Sequence, residues 1–252
     1  MYLSCLLINV GDNPDRPRPG RLWLRNLYHV HQRLCMAFPS SEQKGKDPSF
    51  IKSFDPQGFQ HVHGERNEQQ AFLFRIDPQP GSSPIIIVQS ARKPDWDYAF
   101  QNSPFLAAMP EVKSFNPQFD PNQPLRFRLL ANPVRKATAK SLDANGKPVD
   151  EKWIGSRIPV PNDKLPDWLA RKAEHGGFQV EHLEAVQAGY IYIKGHAADK
   201  EGKREKSNRL FSAKFEGILE VTKPGDFQNT LIHGIGPAKA FGFGLLSVAK
   251  VK

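Results

Sequence analysis

The chain has 252 residues, of which 39% are hydrophobic and 10% are aromatic. This composition excludes a disordered chain, and the length suffices for two small domains. Lysine and arginine number 35 against 26 aspartates and glutamates, which gives a formal charge of +9. A polyanion such as nucleic acid is therefore a favoured partner, although a basic enzyme of ordinary type has the same composition.

The two cysteines, Cys5 and Cys35, fall in a predicted strand and a predicted helix. So low a count excludes a disulfide-rich scaffold and predicts buried free thiols in a reducing, cytoplasmic compartment. The opening segment MYLSCLLINV is too short to span a membrane and has neither a basic leader nor a cleavage site. We therefore expect a first strand here, with no signal peptide and no membrane partner.

The first half of the chain predicts the order strand, helix, strand, strand, helix, strand. Apolar residues recur at helical spacing from Leu22 to Phe38 and stop at Pro39, which predicts one amphipathic helix. The segments AFLFRID and PIIIVQS predict a hairpin, WDYAFQNSPF predicts a short helix, and a weak signal near Val112 predicts a last strand. This βαββαβ order over residues 1–114 is the ferredoxin-like, or RRM-like, pattern.

The second half repeats this order after a proline-rich segment at 115–124, which predicts a linker. LRFRLLANPV predicts a strand, and DKLPDWLARKAEH predicts a helix that ends at Gly176 and Gly177. GYIYIKG and RLFSAKFEGILEV predict a hairpin, followed by a helix in PGDFQNTLIHG and a strand in GLLSVAKV. The sequence thus predicts an α+β protein of two tandem ferredoxin-like domains, at 1–114 and 125–252.

A glycine-rich loop, GIGPAKAFGFG, precedes the last predicted strand. It has neither the Walker lysine nor the strand-to-helix placement of a dinucleotide-binding loop, so we expect no nucleotide cofactor. Gly234 and Gly236 stand where the preceding helix should end, and Gly242 and Gly244 would allow a close backbone approach. Helix capping and tight packing account for these glycines as well as a functional role does.

Six segments in order carry a resemblance to a known family: MYLSCLLI, NLYHVHQRL, LRFRLLANPVRK, DWLARKAEHGGF, FEGILEV and GIGPAKAFGFGLLS. Together they closely resemble the CasE family of CRISPR repeat-processing endoribonucleases, which are RAMP-superfamily subunits of the type I-E Cascade complex. The resemblance implies a ribonuclease with two ferredoxin-like domains that needs no metal and no cofactor. It also implies that the glycine-rich loop packs against or lines an RNA-binding surface between the domains.

The same resemblance implies a substrate and partners. Such an enzyme cuts the repeat stem-loop of precursor CRISPR RNA and leaves 2′,3′-cyclic phosphate and 5′-hydroxyl ends. It then stays bound to the mature CRISPR RNA, within an assembly of Cascade subunits.

The candidate catalytic residues lie in LYHVHQR, where Tyr28 and His31 share a helix face and His29 points elsewhere. A helical pair of this kind is more often structural, but the family's catalytic tyrosine and histidine map onto these two positions. Imidazole suits either proton role near neutral pH, and the phenol suits positioning or charge stabilisation. Some relatives carry a lysine where this chain has Met36, which leaves the cationic stabiliser open, with Lys239 as one candidate.

The segment KGHAADKEGKREKSNRL holds six lysines and arginines against three acids. A solvated loop is the ordinary explanation of such a run, but in relatives a basic hairpin here enters the groove of the RNA stem. Such contacts sense mainly stem shape and phosphates. The predicted RNA-binding residues are Lys203, Arg204, Lys206 and Arg209, a second patch of Arg126, Arg128, Arg135 and Lys136, and Lys239 of the glycine-rich loop.

Two other functions stay open at this point. A non-catalytic RNA-binding subunit of the same superfamily would share the fold, the glycine-rich loop and the charge, but it would not need His31. An unrelated metal-dependent hydrolase would use His61 and His63, which are two residues apart. No third ligand is evident beside them and neither cysteine lies in a CxxC motif, so we expect no metal.

Overall fold

The computed structural model describes residues 1–11, 19–39, 72–79, 81–142, 147–193 and 208–251. The chain divides into two compact units. Unit 1 comprises Met1–Pro117 and Ala240–Gly242, and unit 2 comprises Gln118–Lys239 and Phe243–Lys252. The division after Pro117 lies inside the segment 115–124, for which the sequence predicts a linker.

Unit 1 is a four-stranded antiparallel sheet with helices packed on it. Its strands run in the order β2-β3-β1-β4, so the first strand lies between the third and the fourth. This is the strand order of the ferredoxin-like fold, and it confirms the predicted fold class for this unit. The elements are β1 (Tyr2–Leu7), α1 (Pro19–Leu24), α2 (Leu27–Cys35), β2 (Phe72–Asp77), β3 (Ile85–Ser90), α3 (Trp96–Phe100) and β4 (Val112–Ser114).

The prediction of one helix from Leu22 to Phe38 is wrong, because the chain breaks between α1 and α2. Asn26 is extended, with φ −124° and ψ 98°. Its side-chain oxygen accepts a hydrogen bond from the backbone N–H of Tyr28 at 3.1 Å, and so caps a new helix. The apolar spacing continues through the break, so hydrophobic periodicity alone cannot reveal it.

Unit 2 has the same strand order in its main sheet, β10-β5-β9-β8, and a separate two-stranded sheet of β6 and β7. The main sheet is antiparallel throughout. The elements are β5 (Pro124–Ala131), β6 (Val134–Lys136), β7 (Arg157–Pro159), α4 (Leu165–His175), β8 (Phe178–Ile193), β9 (Asn208–Val221), α5 (Pro224–His233) and β10 (Leu246–Lys250). One-turn 3-10 helices lie at Glu151–Trp153, Asn162–Lys164 and Lys239–Phe241.

Strand β8 begins at Phe178, well before the segment GYIYIKG in which the sequence predicts it. Its pairing with β9 shifts register between Val180 and His182 and again between Leu183 and Ala185. Each bulge inserts a residue and breaks the alternation of apolar and polar side chains. The periodicity that indicates a strand is therefore lost over its first half.

Aromatic contacts join the layers of each unit. In unit 2 the ring centroids of Trp168 on α4 and Phe215 on β9 lie 6.0 Å apart. Phe227 on α5 contacts Phe178 at 5.6 Å and Phe119 at 4.9 Å, so the chain just before β5 is part of this core. In unit 1 the buried core includes Leu6, Ile8, Val30, Leu34, Phe74, Ile86, Val88, Trp96 and Phe100.

Both cysteines are free, but the expectation that they are buried is wrong for Cys5, which is exposed. Ser4 and Leu6 on either side of it point into the core, and alternation along a strand therefore turns Cys5 to the opposite face. Cys35 on α2 is half-buried. None of the helices that the structure describes has the length and hydropathy of a membrane span.

Gly244 should tolerate no side chain. Its φ is +88°, and an added Cβ would lie 2.9 Å from the carbonyl oxygen of Ile235. We expect Gly244→Ala to lower the free energy of unfolding by about 2 kcal/mol or more, from left-handed backbone strain and this clash. Urea denaturation measures the change.

Gly225 is the matched control, since its φ is not in the left-handed region and an added Cβ would meet nothing within 4 Å. Gly225→Ala lies in the first turn of α5 and should keep or raise stability by up to about 1 kcal/mol. Equal unfolding midpoints for the two variants would contradict the assignment of strain to Gly244.

Candidate active site and nucleic-acid interface

Helix α2 carries both residues that the sequence predicts to be catalytic. Tyr28 is half-buried in the first turn, and His31 is 7% exposed. His29 between them is half-buried, with its ring centroid 6.5 Å from that of Tyr28. The spacing of three residues puts Tyr28 and His31 on neighbouring positions of one helix surface, and the histidine lies on the more buried side.

The imidazole of His31 lies among aromatic rings from strand β2. Its centroid is 5.6 Å from that of Phe72 and 6.5 Å from that of Phe74, with interplanar angles of 26° and 21°. Its Nε2 lies 3.5 Å from Sγ of Cys35, one turn later in α2. These contacts restrict the plane of the ring and define the nitrogen that faces the thiol, so the orientation of His31 is set by its surroundings.

Arg33 is built into the packing of unit 1 and does not share the surroundings of His31. Its side chain is 2% exposed, and Nη1 donates to the carbonyl oxygen of Ala99 at 2.9 Å. The guanidinium also lies 5.5 Å from the centre of the Phe105 ring. Burial lowers the pKa of Arg33 to about 10. Neither Arg33 nor the uncharged Met36 therefore supplies a cation beside the histidine.

The four glycines of the glycine-rich loop all have positive φ. The values are 70° at Gly234, 80° at Gly236, 85° at Gly242 and 88° at Gly244. Gly242 belongs to unit 1, and a Cβ added there would lie 3.1 Å from the ring of Phe74. Phe74 is also a neighbour of His31, so this loop residue and the histidine approach the same aromatic side chain.

Lys239 lies in the unit 2 part of the loop, close to helix α4. A Cβ added at Gly244 would lie 3.3 Å from its Cγ, and one added at Gly236 would lie 3.4 Å from Trp168 of α4. Burial lowers the pKa of Lys239, and the ammonium of Lys172 on α4 lowers it further. Two neighbouring ammonium groups favour an anion between them. Sequence reasoning missed Lys172, because no local pattern connects α4 with the loop.

Arg126 and Arg128 are exposed on the open face of the unit 2 sheet, and both are ion-paired. Arg126 donates to Glu184 with Nη2 and Oε1 3.0 Å apart, and Arg128 donates to Glu216. Lys214 also pairs with Glu216 at 3.0 Å. This face is therefore largely neutralised by its own acids, which the sequence does not show because the partners come from other strands.

Arg135 and Lys136 on β6 have different environments. Arg135 is half-buried and anchors a turn, since it donates to Ser141 Oγ at 3.3 Å and to the Leu142 carbonyl oxygen at 2.6 Å. Lys136 is exposed and lies directly opposite the exposed Arg157 in the pairing of β6 with β7. Like charges in this position destabilise a strand pair. Arg157 is thus a second cation that only the strand register reveals.

Arg209 at the start of β9 is exposed, with its guanidinium 4.7 Å from the centre of the Tyr190 ring. The other predicted cations of this hairpin, Lys203, Arg204 and Lys206, lie outside the described residues, as do His61 and His63. In the part of the chain that the structure describes, no three histidine, cysteine or acidic side chains cluster as a metal site would require.

Comparisons with known proteins agree along the whole chain. A family model described as "CRISPR associated protein" matches residues 1–250. The chain is 32% identical to CRISPR-associated endoribonuclease Cse3 of Thermus thermophilus over 258 residues, which cover 99% of this chain and 100% of that protein. It is 28% identical to the CRISPR system Cascade subunit CasE of Escherichia coli, over 99% of both chains. A solved structure of Cse3 bound to a 19-nucleotide RNA matches with a TM-score of 0.70 at 28% identity, covering 99% of this chain and 100% of that one.

The ion pairs of Glu216 should make stability depend on pH. Burial raises the pKa of this carboxyl, but hydrogen bonds from Lys214 and Arg128 outweigh it, and the pKa lies below the ordinary 4.5. Because the pKa is lower in the folded state than in the unfolded state, the ionised carboxylate stabilises the folded protein at pH values above the unfolded-state pKa. This stabilisation is lost as the pH falls through the folded-state pKa. We expect Glu216→Gln to destabilise the protein by up to about 1 kcal/mol at neutral pH and hardly at all near pH 3.

Urea unfolding at the two pH values measures this difference. Glu174→Gln is the control, because Glu174 is exposed on α4 and makes no ion pair with another described residue. A deficit of Glu216→Gln that persists undiminished at pH 3 would contradict the assignment.

Proposed function

Because this chain belongs to the family of CRISPR-associated proteins, we propose that it is the endoribonuclease that processes precursor CRISPR RNA. It cleaves the repeat stem-loop, stays bound to the mature CRISPR RNA and works as a Cascade subunit. The observation that carries this proposal is the full-length similarity to an endoribonuclease of the family. A cytoplasmic location is part of this proposal, because its RNA substrate is made in the cell.

The reaction needs no atom from outside the RNA. The 2′-hydroxyl attacks the adjacent phosphorus, a 2′-O–P bond forms, and the bond from phosphorus to the 5′-oxygen breaks. A base takes the proton of the 2′-hydroxyl, and an acid delivers a proton to the leaving 5′-oxygen. The products are a 2′,3′-cyclic phosphate and a 5′-hydroxyl.

In this proposal His31 transfers one of the two protons, and the Tyr28 hydroxyl positions the phosphate or stabilises its developing charge. The contacts of His31 with Phe72, Phe74 and Cys35 support a fixed ring orientation, which efficient proton transfer requires. Since His31 is only 7% exposed, RNA binding must open a path to the imidazole. We therefore expect a conformational step before chemistry.

Phosphate contacts come from unit 2. We assign them to cations that make no ion pair within the described residues and that have a second cation or an aromatic ring as a neighbour. These are Lys136 and Arg157 on the small sheet, Lys172 and Lys239 at the glycine-rich loop, and Arg209 on the hairpin. Arg126 and Arg128 contribute less because Glu184 and Glu216 already pair with them. Lys203, Arg204 and Lys206 remain RNA-binding candidates from the sequence, and the half-buried Arg135 supports the neighbouring turn.

Single-turnover cleavage of the cognate repeat stem-loop in EDTA tests the proposal. Wild type should cut without metal. His31→Ala should bind the RNA within about threefold of wild type and cut at least about 100-fold more slowly. The control is His29→Ala, which removes the neighbouring histidine of the same helix and should cut at nearly the wild-type rate.

Three outcomes would contradict this assignment. If wild type binds the stem-loop and does not cut it, the protein is the non-catalytic RNA-binding subunit, a role that the burial of His31 would suit. If cleavage requires added metal, or if His29→Ala loses activity while His31→Ala keeps it, the catalytic residues named here are wrong.

A further inference from the structure

The hairpin of β8 and β9 carries two exposed tyrosines near the end at which β8 stops and β9 starts. Tyr190 is 39% exposed and Tyr192 is 63% exposed. They are two residues apart on β8, so their rings lie on the same face of the hairpin. Exposed aromatic side chains that are neighbours on one face are typical of a binding surface.

The opposite strand holds the inner tyrosine in place. Tyr190 pairs with Phe211, and their ring centroids lie 5.5 Å apart with an interplanar angle of 63°. Phe211 is buried and belongs to the core of unit 2. Tyr192 pairs with Arg209, whose guanidinium reaches diagonally to within 4.7 Å of the centre of the Tyr190 ring. We call Tyr190, Tyr192 and Arg209 the tyrosine platform.

The two tyrosines differ in what they can bind. Tyr190 is braced by Phe211, and its ring is in cation–π contact with Arg209. Tyr192 has the larger exposed fraction of the two. It lies on the same face of the hairpin, two residue pairs beyond Tyr190 and the buried Phe211. It is therefore the ring that can receive a flat partner on its face.

The charge around the platform favours nucleic acid as that partner. Arg209 is part of the platform itself, and the connecting residues 194–207 hold five lysines and arginines against three acids. Single-stranded nucleic acid is bound by aromatic rings that stack on bases beside cations that contact phosphates. An apolar protein surface would complement the tyrosine rings but would have no group that pairs with the positive charge.

We propose that Tyr192 stacks on an unpaired nucleobase next to the repeat stem, while Arg209 holds Tyr190 and contacts the neighbouring phosphate. An A-form stem hides the faces of its paired bases, so the base must be an unpaired one. This inference rests on the proposed function, and it specifies which part of the RNA substrate the hairpin binds. The tyrosine platform thus binds an unpaired base that flanks the stem as well as a phosphate of the RNA.

Two RNAs and three variants test the stacking. One RNA is the repeat stem-loop with its unpaired flanks, the other is the same stem cut blunt, and both carry a 2′-deoxy sugar at the scissile position. Tyr192→Leu should weaken binding of the flanked RNA by about 10-fold or more and that of the blunt stem by no more than about twofold. Tyr192→Phe keeps the ring and should bind both RNAs like wild type.

Further readouts separate stacking from other roles. Because the tyrosine ring is uncharged, Tyr192→Leu should leave the slope of log Kd against log salt unchanged. Trp153→Leu removes another exposed aromatic of unit 2, 50% exposed in a one-turn helix, and should leave both affinities unchanged. In wild type, 2-aminopurine at the unpaired flanking position should lose fluorescence on binding, a measurement that needs no variant.

The inference is overturned if Tyr192→Leu binds both RNAs as wild type does, which would point to a protein-docking role for the platform. It is also overturned if the variant weakens both RNAs equally, because the effect would then not depend on an unpaired base. If wild type cuts the native stem-loop in either case, the proposed function stands and only the stacking fails. If wild type binds neither RNA, the proposed function itself fails.

Discussion

The packing of helix α2 on strand β2 is the interaction on which the proposed chemistry depends. The side of the helix that carries His31 is the side that contacts Phe72 and Phe74, so the packing that holds the helix also orients the imidazole. Asn26 sets where this helix begins and thereby fixes which residues face the sheet. The same packing buries the histidine, and activity therefore depends on a rearrangement when RNA binds.

Both units have the same strand order, yet they carry different functional groups. Unit 1 holds Tyr28 and His31 on α2. Unit 2 holds cations whose positions do not stabilise the fold. Lys136 opposite Arg157 and Lys239 beside Lys172 are like-charge neighbours, which cost stability without an anion. A polyanion removes that cost, so the arrangement is best understood with phosphates bound. By contrast, the arginines of the open sheet face are balanced by their own acids.

The sequence predicts elements well where the pattern of side chains is local. The apolar runs of β3 and β10 and the amphipathic α4 lie where periodicity puts them. Prediction from the sequence fails where the pattern is interrupted, as in the first half of β8, where two bulges break the alternation. It also fails where the pattern continues past the end of an element, as at Asn26, where the apolar spacing runs on from α1 into α2. For the site, the helix that carries Tyr28 and His31 is evident from sequence. The burial of His31, the pairing of Arg128 with Glu216 and the approach of Lys172 to Lys239 depend on distant strands and loops, which no local pattern encodes.

The most direct test of the central claim, that the nucleophile is the RNA's own 2′-hydroxyl, is an analysis of product ends together with a 2′-deoxy sugar at the scissile nucleotide. Native RNA should yield a 2′,3′-cyclic phosphate on the upstream fragment and a 5′-hydroxyl on the downstream one. The 2′-deoxy RNA should bind and remain intact. Cleavage of the 2′-deoxy RNA, or a 5′-phosphate on the downstream product, would show that water is the nucleophile and would contradict the account.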